Sequence, residues 1–322
     1  MSAAKRVDRH RHSVPEGGLS LPSPFVSDLG APCDYILDEG LEDAANAALD
    51  LGQPLLLTGE PGTGKTQFAH FLAWHLGLEA PLEFHTKSTS TASDLFYSYD
   101  TVRRFHAAHT GKTGVDERDY VRFNALGRAM LRSLPPSDIA HICPPSDANA
   151  LAGPVRSVVL IDEIDKASRD FPNDLLNELS TMSFQIPELG KTVVADRALR
   201  PIVVVTSNQE RPLPDAFLRR CVFYCIEAPT EERMVEILAR RFGQGSAQPP
   251  ALMTSAAAFY SAAQRGGHRP PSVAELIGWF YLLLQGGADL QSRVSQADLS
   301  CIAALAKTPP ARKYLGELLK SV

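Results

Sequence analysis

The sequence predicts an α/β protein, in which a mostly parallel β-sheet lies between helices, followed by a small all-helical domain. Short apolar runs alternate with helical patterns as far as about residue 228, and this alternation is typical of a parallel sheet. From Thr230 onward only helical patterns follow. The change in pattern is the best candidate for a domain boundary.

Five apolar runs predict the strands of the sheet. Continuous apolar runs are typical of strands that are buried on both faces. In chain order the runs are P-L-L-L-T, L-E-F-H-T-K, S-V-V-L-I-D, P-I-V-V-V-T-S-N and C-V-F-Y-C-I. A further pair of short extended pieces, near 184–196, flanks Leu-Gly and predicts a hairpin.

Helical patterns fill most of the space between these runs. The segment L-E-D-A-A-N-A-A-L-D-L predicts a helix that ends at Gly52, and K-T-Q-F-A-H-F-L-A-W-H-L predicts one that ends at Gly77. F-P-N-D-L-L-N-E-L-S-T-M predicts another, and residues 94–133 are expected to be mostly helical. Residues 134–154 are rich in Pro, Ser and Asp and are expected to form a loop.

We therefore divide the chain into three parts. Residues 1–32 show little periodicity and are expected to form a mobile arm. Residues 33–228 form the predicted α/β domain, and residues 229–322 form the predicted helical domain.

Composition indicates an ordinary globular protein in a reducing compartment. The net charge is −5, so the composition does not indicate nucleic acid or an anionic membrane surface as the main partner, because both are negatively charged. The five cysteines are sparse and lack metal-ligand spacing, so we expect reduced thiols and a cytoplasmic location. The basic N-terminus is not followed by an apolar run, and no apolar stretch is long enough to span a membrane, so we expect neither a secretory signal nor a membrane helix.

A glycine-rich stretch follows the first strand directly. Gly59-Glu60-Pro61-Gly62-Thr63-Gly64-Lys65-Thr66 satisfies the Walker A pattern G-x-x-x-x-G-K-[ST] and lies between a predicted strand and a predicted helix. The glycines allow backbone N–H groups to converge on a phosphate, Lys65 supplies positive charge, and Thr66 offers a hydroxyl ligand to Mg²⁺. A chance match has odds of roughly one in a hundred, so a phosphate site is favoured over a tight turn.

Two carboxylates end the third strand. Asp162 and Glu163 are expected at the carboxyl edge of the sheet, where such sheets bind ligands. Asp162 is suited to hold Mg²⁺, and Glu163 is suited to orient and polarise the attacking water. The alternative is that these residues form a solvent-exposed acidic turn. This alternative is less favoured because the chain also contains a Walker A pattern.

Polar residues also follow the fourth strand and precede the fifth. Asn208 ends V-V-V-T-S-N and could bind the γ-phosphate or the water, although a plain turn is an equal alternative for this residue alone. Arg219 and Arg220 in L-P-D-A-F-L-R-R-C could form a surface ion pair or reach a neighbouring subunit's nucleotide.

The order of these motifs resembles that of the AAA+ ATPases. Four stretches are similar to the MoxR family, especially to the branch found beside bacterial von Willebrand factor A-type proteins. They are V-L-I-D-E-I-D-K-A, D-F-P-N-D-L-L-N-E-L, I-V-V-V-T-S-N and L-P-D-A-F-L-R-R-C. The resemblance covers roughly residues 33–290. It implies a P-loop AAA+ core followed by a small helical lid domain.

The resemblance also implies a homo-oligomeric ring, usually a hexamer, with ATP and Mg²⁺ bound between subunits. Asp162 and Glu163 would be Walker B, Asn208 sensor 1, Arg220 the trans-acting finger and Arg219 its neighbour. The implied nucleotide contacts are Gly59, Glu60, Pro61, Gly62, Thr63, Gly64, Lys65, Thr66, Gln67 and Arg269, with Thr66 and Asp162 at the metal.

Other features of the resemblance concern the client and the departures from the pattern. An insert near 98–116 and the hairpin near 184–196 would face the central channel and a protein client. Arg269, the sensor 2 candidate, precedes its helix instead of lying in the first turn, which leaves that role open. The loop at 134–154 is longer than the family pattern predicts.

Aromatic residues outside these motifs are interpreted as packing residues. Trp74 and Trp279 lie within apolar helical patterns. Phe96, Tyr97, Tyr99 and Phe105 are expected in the core of the insert, with stacking on single-stranded nucleic acid as the alternative.

The leading functional prediction is an ATP-driven, chaperone-like remodeller of a protein client, with a von Willebrand factor A-type protein as adaptor. One alternative is a DNA-directed motor, against which stand the acidic balance and the lack of a winged or helix-turn-helix extension. A second is a nucleotide-dependent assembly switch with little turnover, against which stands the presence of Glu163.

Overall fold

The computed structural model describes most of the chain from residue 31 onward. The described ranges are 31–109, 116–144, 147, 153–243, 250–266, 269–294 and 299–321. The predicted N-terminal arm therefore lies outside them except for its last two residues, and so do residues 110–115 of the predicted insert and much of the second half of the 134–154 loop.

The described residues form two compact units. One contains residues 37–60 and 64–227 and is the α/β unit. The other groups the described residues of 228–322 with residues 31–36 and 61–63, and is the helical unit. Each unit is described below by itself.

The α/β unit is built on a five-stranded parallel sheet, which confirms the predicted parallel sheet. Its strands are β1 (Leu55–Thr58), β2 (Leu82–His85), β5 (Val158–Asp162), β8 (Ile202–Ser207) and β9 (Val222–Cys225). They lie in the order β2-β5-β8-β1-β9. The apolar side chains of β1, β5 and β8 are buried, except for the half-buried Ile202 at the start of β8, because helices cover the sheet.

The register of these strands sets the location of the site. Thr58 pairs with Ser207, and His85 pairs with Asp162. Since the strands are parallel, the carboxyl ends of β1, β2, β5 and β8 lie at one edge of the sheet. The polar residues that follow these strands are brought together there.

Helices surround the sheet in the α/β unit. They are α1 (Glu39–Leu51), α2 (Lys65–His75), α3 (Thr101–His109), α4 (Ala125–Arg132), α5 (Pro136–Ile139), α6 (Phe171–Asp174), α7 (Leu176–Thr181) and α8 (Asp215–Leu218). Helix α1 begins after Asp38, whose side chain accepts a hydrogen bond from Leu41 N, and ends at Gly52 with φ of 63°. The predicted glycine C-cap is thus confirmed.

The expectation that residues 94–133 are mostly helical is wrong in part. This stretch contains the antiparallel strands β3 (Tyr97–Tyr99) and β4 (Val121–Phe123) besides α3 and α4. Val121 and Phe123 are buried and Arg122 is exposed. Strands of three residues are too short for a period of two to stand out against helical neighbours.

The hairpin predicted near 184–196 is confirmed as β6 (Ser183–Ile186) and β7 (Lys191–Val194). Its turn closes through Gly190, which has φ of 61°. Phe184 of β6 stacks on Phe96, with ring centroids 5.0 Å apart, so the hairpin packs against the segment that leads into β3.

Two smaller expectations also need correction. The helix predicted from F-P-N-D-L-L-N-E-L-S-T-M is two short helices, α6 and α7, with a break at the fully buried Leu175. The 134–154 stretch contains the short helix α5 in addition to loop.

The helical unit packs its helices around one apolar core. Its α-helices are α9 (Glu231–Phe242), α10 (Ala251–Gln264), α11 (Val273–Gln285) and α12 (Pro309–Ser321). Ser272 and Glu275 form a capping box at the start of α11, each side chain bonding the other's backbone N–H. Among the described residues, no helix combines the length and the apolar character that crossing a membrane requires.

The two tryptophans differ sharply in burial. Trp279 is 2% exposed and packs against Phe259 in the helical core, which confirms the packing expectation. Trp74 is 51% exposed, and Phe105 is 62% exposed, so the packing expectation is wrong for these two residues. Trp74 lies on α2 and Phe105 on α3, and their described ring contacts are with residues of the same helix.

The first testable prediction concerns this difference. Trp279→Ala should lower the free energy of unfolding of the helical unit by about 3–5 kcal/mol, because it removes a large buried side chain and leaves a cavity. Trp74→Ala, which truncates an exposed tryptophan of α2, is the control and should change the free energy of unfolding of its own α/β unit by less than about 0.5 kcal/mol. Chemical denaturation followed by far-UV circular dichroism measures both, and equal losses would contradict the assignment of Trp279 to the core.

Candidate functional site

The glycine-rich loop lies between β1 and α2. Strand β1 ends at Thr58 and α2 begins at Lys65, with Gly64 as its N-cap. Gly59, Gly62 and Gly64 have φ of 134°, 81° and 97°. Residues with a Cβ rarely adopt these values, so the turn of the loop requires glycine at these positions.

Lys65 lies inside this loop and is 6% exposed. Its Nζ donates hydrogen bonds to Gly59 O at 2.7 Å and Glu60 O at 2.8 Å. Burial lowers the pKa of Lys65, and the neighbouring carboxylates, Asp162 first among them, oppose this shift. The ammonium group is therefore held in place by backbone carbonyls at the point where the loop turns into the helix.

Asp162 joins three elements through one carboxylate oxygen. Its Oδ1 accepts hydrogen bonds from Thr66 Oγ1 of α2 at 2.9 Å and from Thr206 Oγ1 of β8 at 2.7 Å. The contact fixes the first turn of α2 against β5 and β8. It also places a hydroxyl and a carboxylate oxygen side by side, a donor set that suits a hard cation such as Mg²⁺.

Glu163 follows Asp162 with a left-handed backbone, at φ of 56° and ψ of 52°. Its N–H donates to Thr206 Oγ1 at 2.8 Å, and its Oε1 accepts from Asn208 Nδ2 at 2.9 Å. Its Oε2 forms an ion pair with Lys166. A non-glycine residue in this region costs on the order of 1–3 kcal/mol, so surrounding contacts hold the carboxylate in this orientation.

Asp165 is a site residue that the sequence analysis does not single out. It is 4% exposed, and its carboxylate accepts hydrogen bonds from Asn208 N at 3.3 Å and Glu210 N at 2.9 Å. Between them lies Gln209, another non-glycine residue with positive φ, at 59°. Asp165 thus ties the loop that carries Asn208 to the loop that carries Glu163. The third acid in D-E-I-D is the sequence signal that could have indicated it.

The structure brings together five of the residues predicted from the motifs: Lys65, Thr66, Asp162, Glu163 and Asn208. They lie within a few residues of the carboxyl edge of the sheet and are linked by the contacts above. Gln67 is half-buried in the first turn of α2. Glu60, Pro61 and Thr63 occupy the loop between the glycines.

The predicted arginines lie elsewhere. Arg219 and Arg220 are exposed and follow α8, immediately before β9, which places them near the amino end of that strand. Arg220 Nη1 makes one long contact, 3.5 Å to Ala216 O. Arg269 is exposed in the helical unit, three residues before the N-cap Ser272 of α11.

The position of Asp165 leads to a prediction about stability. Asp165→Asn should lower the free energy of unfolding of the α/β unit by about 1–3 kcal/mol, because the amide nitrogen replaces an acceptor at a buried position and leaves one of the two part-buried backbone N–H groups without its partner. Thermal unfolding compares the variant with Asp170→Asn, a substitution of an exposed aspartate. An Asp165→Asn chain as stable as this control would contradict the bridging role.

Comparison with known proteins places the chain in a family. A search of curated proteins finds no match. Among solved structures, two point variants of RuvB from Thermotoga maritima are similar. One has 17% identity and a TM-score of 0.42 over 88% of this chain and 70% of that one. The other has 16% identity and a TM-score of 0.45 over 90% and 74%.

The family model described as the AAA domain of the dynein-related subfamily matches residues 54–242. The match covers more than half of the 322 residues and includes the glycine-rich loop, Asp162, Glu163, Asn208 and both adjacent arginines. The chain belongs to the dynein-related subfamily of AAA domains.

Proposed function

We propose that this protein is a Mg²⁺-dependent ATP hydrolase of the MoxR branch, which works as a homo-oligomeric ring and remodels or activates a protein client. One observation carries the proposal. The Glu163 carboxylate is held by Asn208 beside the Thr66–Asp162 contact, so a candidate water-polarising group and a candidate metal site adjoin.

The glycine-rich loop would bind the phosphates of ATP. Its positive-φ glycines would allow backbone N–H groups to converge on the phosphates, and α2 would contribute its positive N-terminal end. Lys65 would exchange its two carbonyl partners for oxygens of the β- and γ-phosphates, which are stronger acceptors because they are charged. Gln67 lies one residue further along α2, near the loop.

Thr66 and Asp162 would hold Mg²⁺. Their oxygens are 2.9 Å apart and are of the hydroxyl and carboxylate types that Mg²⁺ prefers. When bound, the ion neutralises negative charge on the phosphates. Thr206 keeps Asp162 oriented, because its hydroxyl donates to the same carboxylate oxygen.

Glu163 would orient a water molecule and accept its proton as the water attacks the γ-phosphorus. The bond from that phosphorus to the β–γ bridging oxygen breaks, and ADP and phosphate leave. Asn208 holds one oxygen of the carboxylate, and Lys166 pairs with the other. The attacking water would displace Asn208 or Lys166 from the Glu163 carboxylate, or share the carboxylate with one of them. The position of Asn208 would therefore depend on what occupies the γ-phosphate position.

A ring arrangement would supply the missing positive charge. In the described part of the chain, no carboxylate forms an ion pair with Arg219 or Arg220, and both side chains are exposed. An exposed arginine on a different edge from its own subunit's Walker residues is suited to act on the nucleotide of a neighbouring copy. Arg269 would contact nucleotide from the helical unit.

Exposed apolar residues support contact with a protein client. Val102 and Phe105 on α3 are 69% and 62% exposed. Val194, the last residue of β7, is 54% exposed. These elements correspond to the insert and hairpin of the resemblance described above. We propose a von Willebrand factor A-type protein as adaptor and, from the sparse cysteines, a cytoplasmic location.

The central test separates binding from turnover. Lys65→Ala should weaken ATP binding at least about tenfold, because it removes a charged donor to the phosphates. Glu163→Gln should keep the dissociation constant for ATP within about threefold and lower turnover about 100-fold or more. Equilibrium binding and steady-state ATPase rates measure both effects. Equal loss of binding in the two variants would contradict the role of Glu163.

The ring proposal has a separate test. The specific ATPase activity of the wild-type chain should rise with its concentration, since the site is completed between copies. Arg220→Ala should spare ATP binding and lower turnover about 100-fold or more. Mixing Arg220→Ala with Lys65→Ala chains should restore part of the activity, because an intact nucleotide site then meets an intact arginine. No recovery at any mixing ratio would argue against action in trans.

A further inference from the structure

A cavity of about 560 Å³ lies in the α/β unit at the amino edge of the sheet, opposite the Walker residues. We call it the arginine cavity, because Arg156, Arg197, Arg200 and Arg220 line it. Arg156 stands two residues before β5, Arg200 two before β8, and Arg220 two before β9. Parallel strands begin at the same edge, so the fold collects at one place arginines that are far apart in the sequence.

The arginine cavity lacks compensating negative charge. Asp50 is the single acidic residue among the described residues that line it, and it is exposed. In the described part of the chain, none of the four arginines forms an ion pair. Their described hydrogen-bond partners are backbone carbonyls, which are neutral.

Two of these guanidinium groups carry buried nitrogens without a partner. Arg156 Nη2 donates to Ala198 O at 2.9 Å, and Arg200 Nη2 donates to Leu179 O at 2.8 Å. The Nε atoms of both side chains are buried, and no described atom accepts a hydrogen bond from them. Burial lowers the pKa of Arg200, which reflects the cost of an uncompensated charge.

We propose that the arginine cavity binds a phosphate-bearing anion. Guanidinium groups present several N–H donors in a plane, and this arrangement matches the oxygens of phosphate. Four positive charges with a single acid nearby favour an anion of two or more negative charges over a single carboxylate. The volume lies within the range of small-molecule sites and exceeds the need of one phosphate group, so a diphosphate or larger anion fits best.

The phosphate could come from two sources, and both present the same chemistry. One is a free phosphate compound. The other is the nucleotide held by the glycine-rich loop of a second copy, in which Arg156, Arg197 and Arg200 would join Arg220 in trans. The second source rests on the proposed function, whereas the first does not.

The first arm of the test uses inorganic pyrophosphate as probe. The Lys65→Ala chain is the background, since its glycine-rich loop has lost the charge that attracts phosphate. Isothermal titration should show binding to this chain. Adding Arg197→Gln should weaken it about tenfold or more, and adding Arg156→Gln should act in the same way.

Arg122→Gln in the same background is the matched control. Arg122 is exposed on β4 and does not line the arginine cavity, so its loss should leave pyrophosphate binding unchanged. Arg197 makes no described hydrogen bond or ion pair, so Arg197→Gln is expected to fold even if Arg200→Gln, which loses contacts to Leu179 and Ser180, does not. Thermal unfolding checks that each variant is folded.

The second arm detects the other source. An immobilised Glu163→Gln chain loaded with ATP is offered the Lys65→Ala chain, which presents its arginine cavity but does not hold nucleotide well. Capture that needs ATP and is weakened about tenfold by Arg197→Gln in the offered chain assigns the phosphate to a second copy. Pyrophosphate binding that depends on the arginines, without ATP-dependent capture, assigns it to a free compound.

The proposal is overturned if neither pyrophosphate binding nor ATP-dependent capture changes with Arg197→Gln and Arg156→Gln. If the Glu163→Gln chain binds no ATP, the proposed function fails. The pyrophosphate titration alone then decides whether the arginine cavity binds a phosphate-bearing anion. The two failures are therefore distinguishable.

Discussion

The candidate site depends on a single carboxylate oxygen, Oδ1 of Asp162. It accepts the hydroxyl hydrogen bonds of Thr66 and Thr206, at 2.9 and 2.7 Å, and so joins α2, β5 and β8. A carboxylate with two donors at one oxygen is well satisfied despite partial burial. Thr206 Oγ1 also accepts a hydrogen bond from the backbone N–H of Glu163. The same threonine therefore positions the backbone of the residue that follows Asp162. Everything proposed for the metal and the water follows from this junction.

The residues beside the junction hold a strained backbone in place. Glu163 and Gln209 both have positive φ without being glycine, and each lies in a loop that follows a central strand. Asp165 accepts N–H groups on either side of Gln209, so a buried carboxylate offsets the cost of that conformation. The amide of Asn208, beside Gln209, donates a hydrogen bond to the Glu163 carboxylate at 2.9 Å.

The sequence predicts the parts of the molecule whose signals are local. The loop at 59–66 and the strand that ends in Asp162 are defined by contiguous residues, and the parallel sheet follows from their alternation with helices. Strands β3 and β4 escape prediction because three residues give too little periodicity. The role of Asp165 is not predicted because its partners, at 208–210, are distant in sequence. The arginine cavity is not predicted because its arginines precede three strands that are far apart in the chain. Burial of Trp74 is predicted wrongly because an apolar helical pattern does not say whether another element covers it.

A parallel sheet has two chemically different edges, and this chain gathers carboxylates at one of them and arginines at the other. Asp162, Glu163 and Asp165 lie at the carboxyl edge, and Arg156, Arg200 and Arg220 lie near the amino edge. Unlike surfaces of this kind favour head-to-tail contacts between copies, and such contacts close into rings when the rotation between copies permits. The carboxylates of the carboxyl edge attract arginines of another copy, and bound phosphates would add negative charge there and strengthen this attraction. Nucleotide would therefore act as the bridge that gives the amino edge of one copy a reason to approach the carboxyl edge of the next.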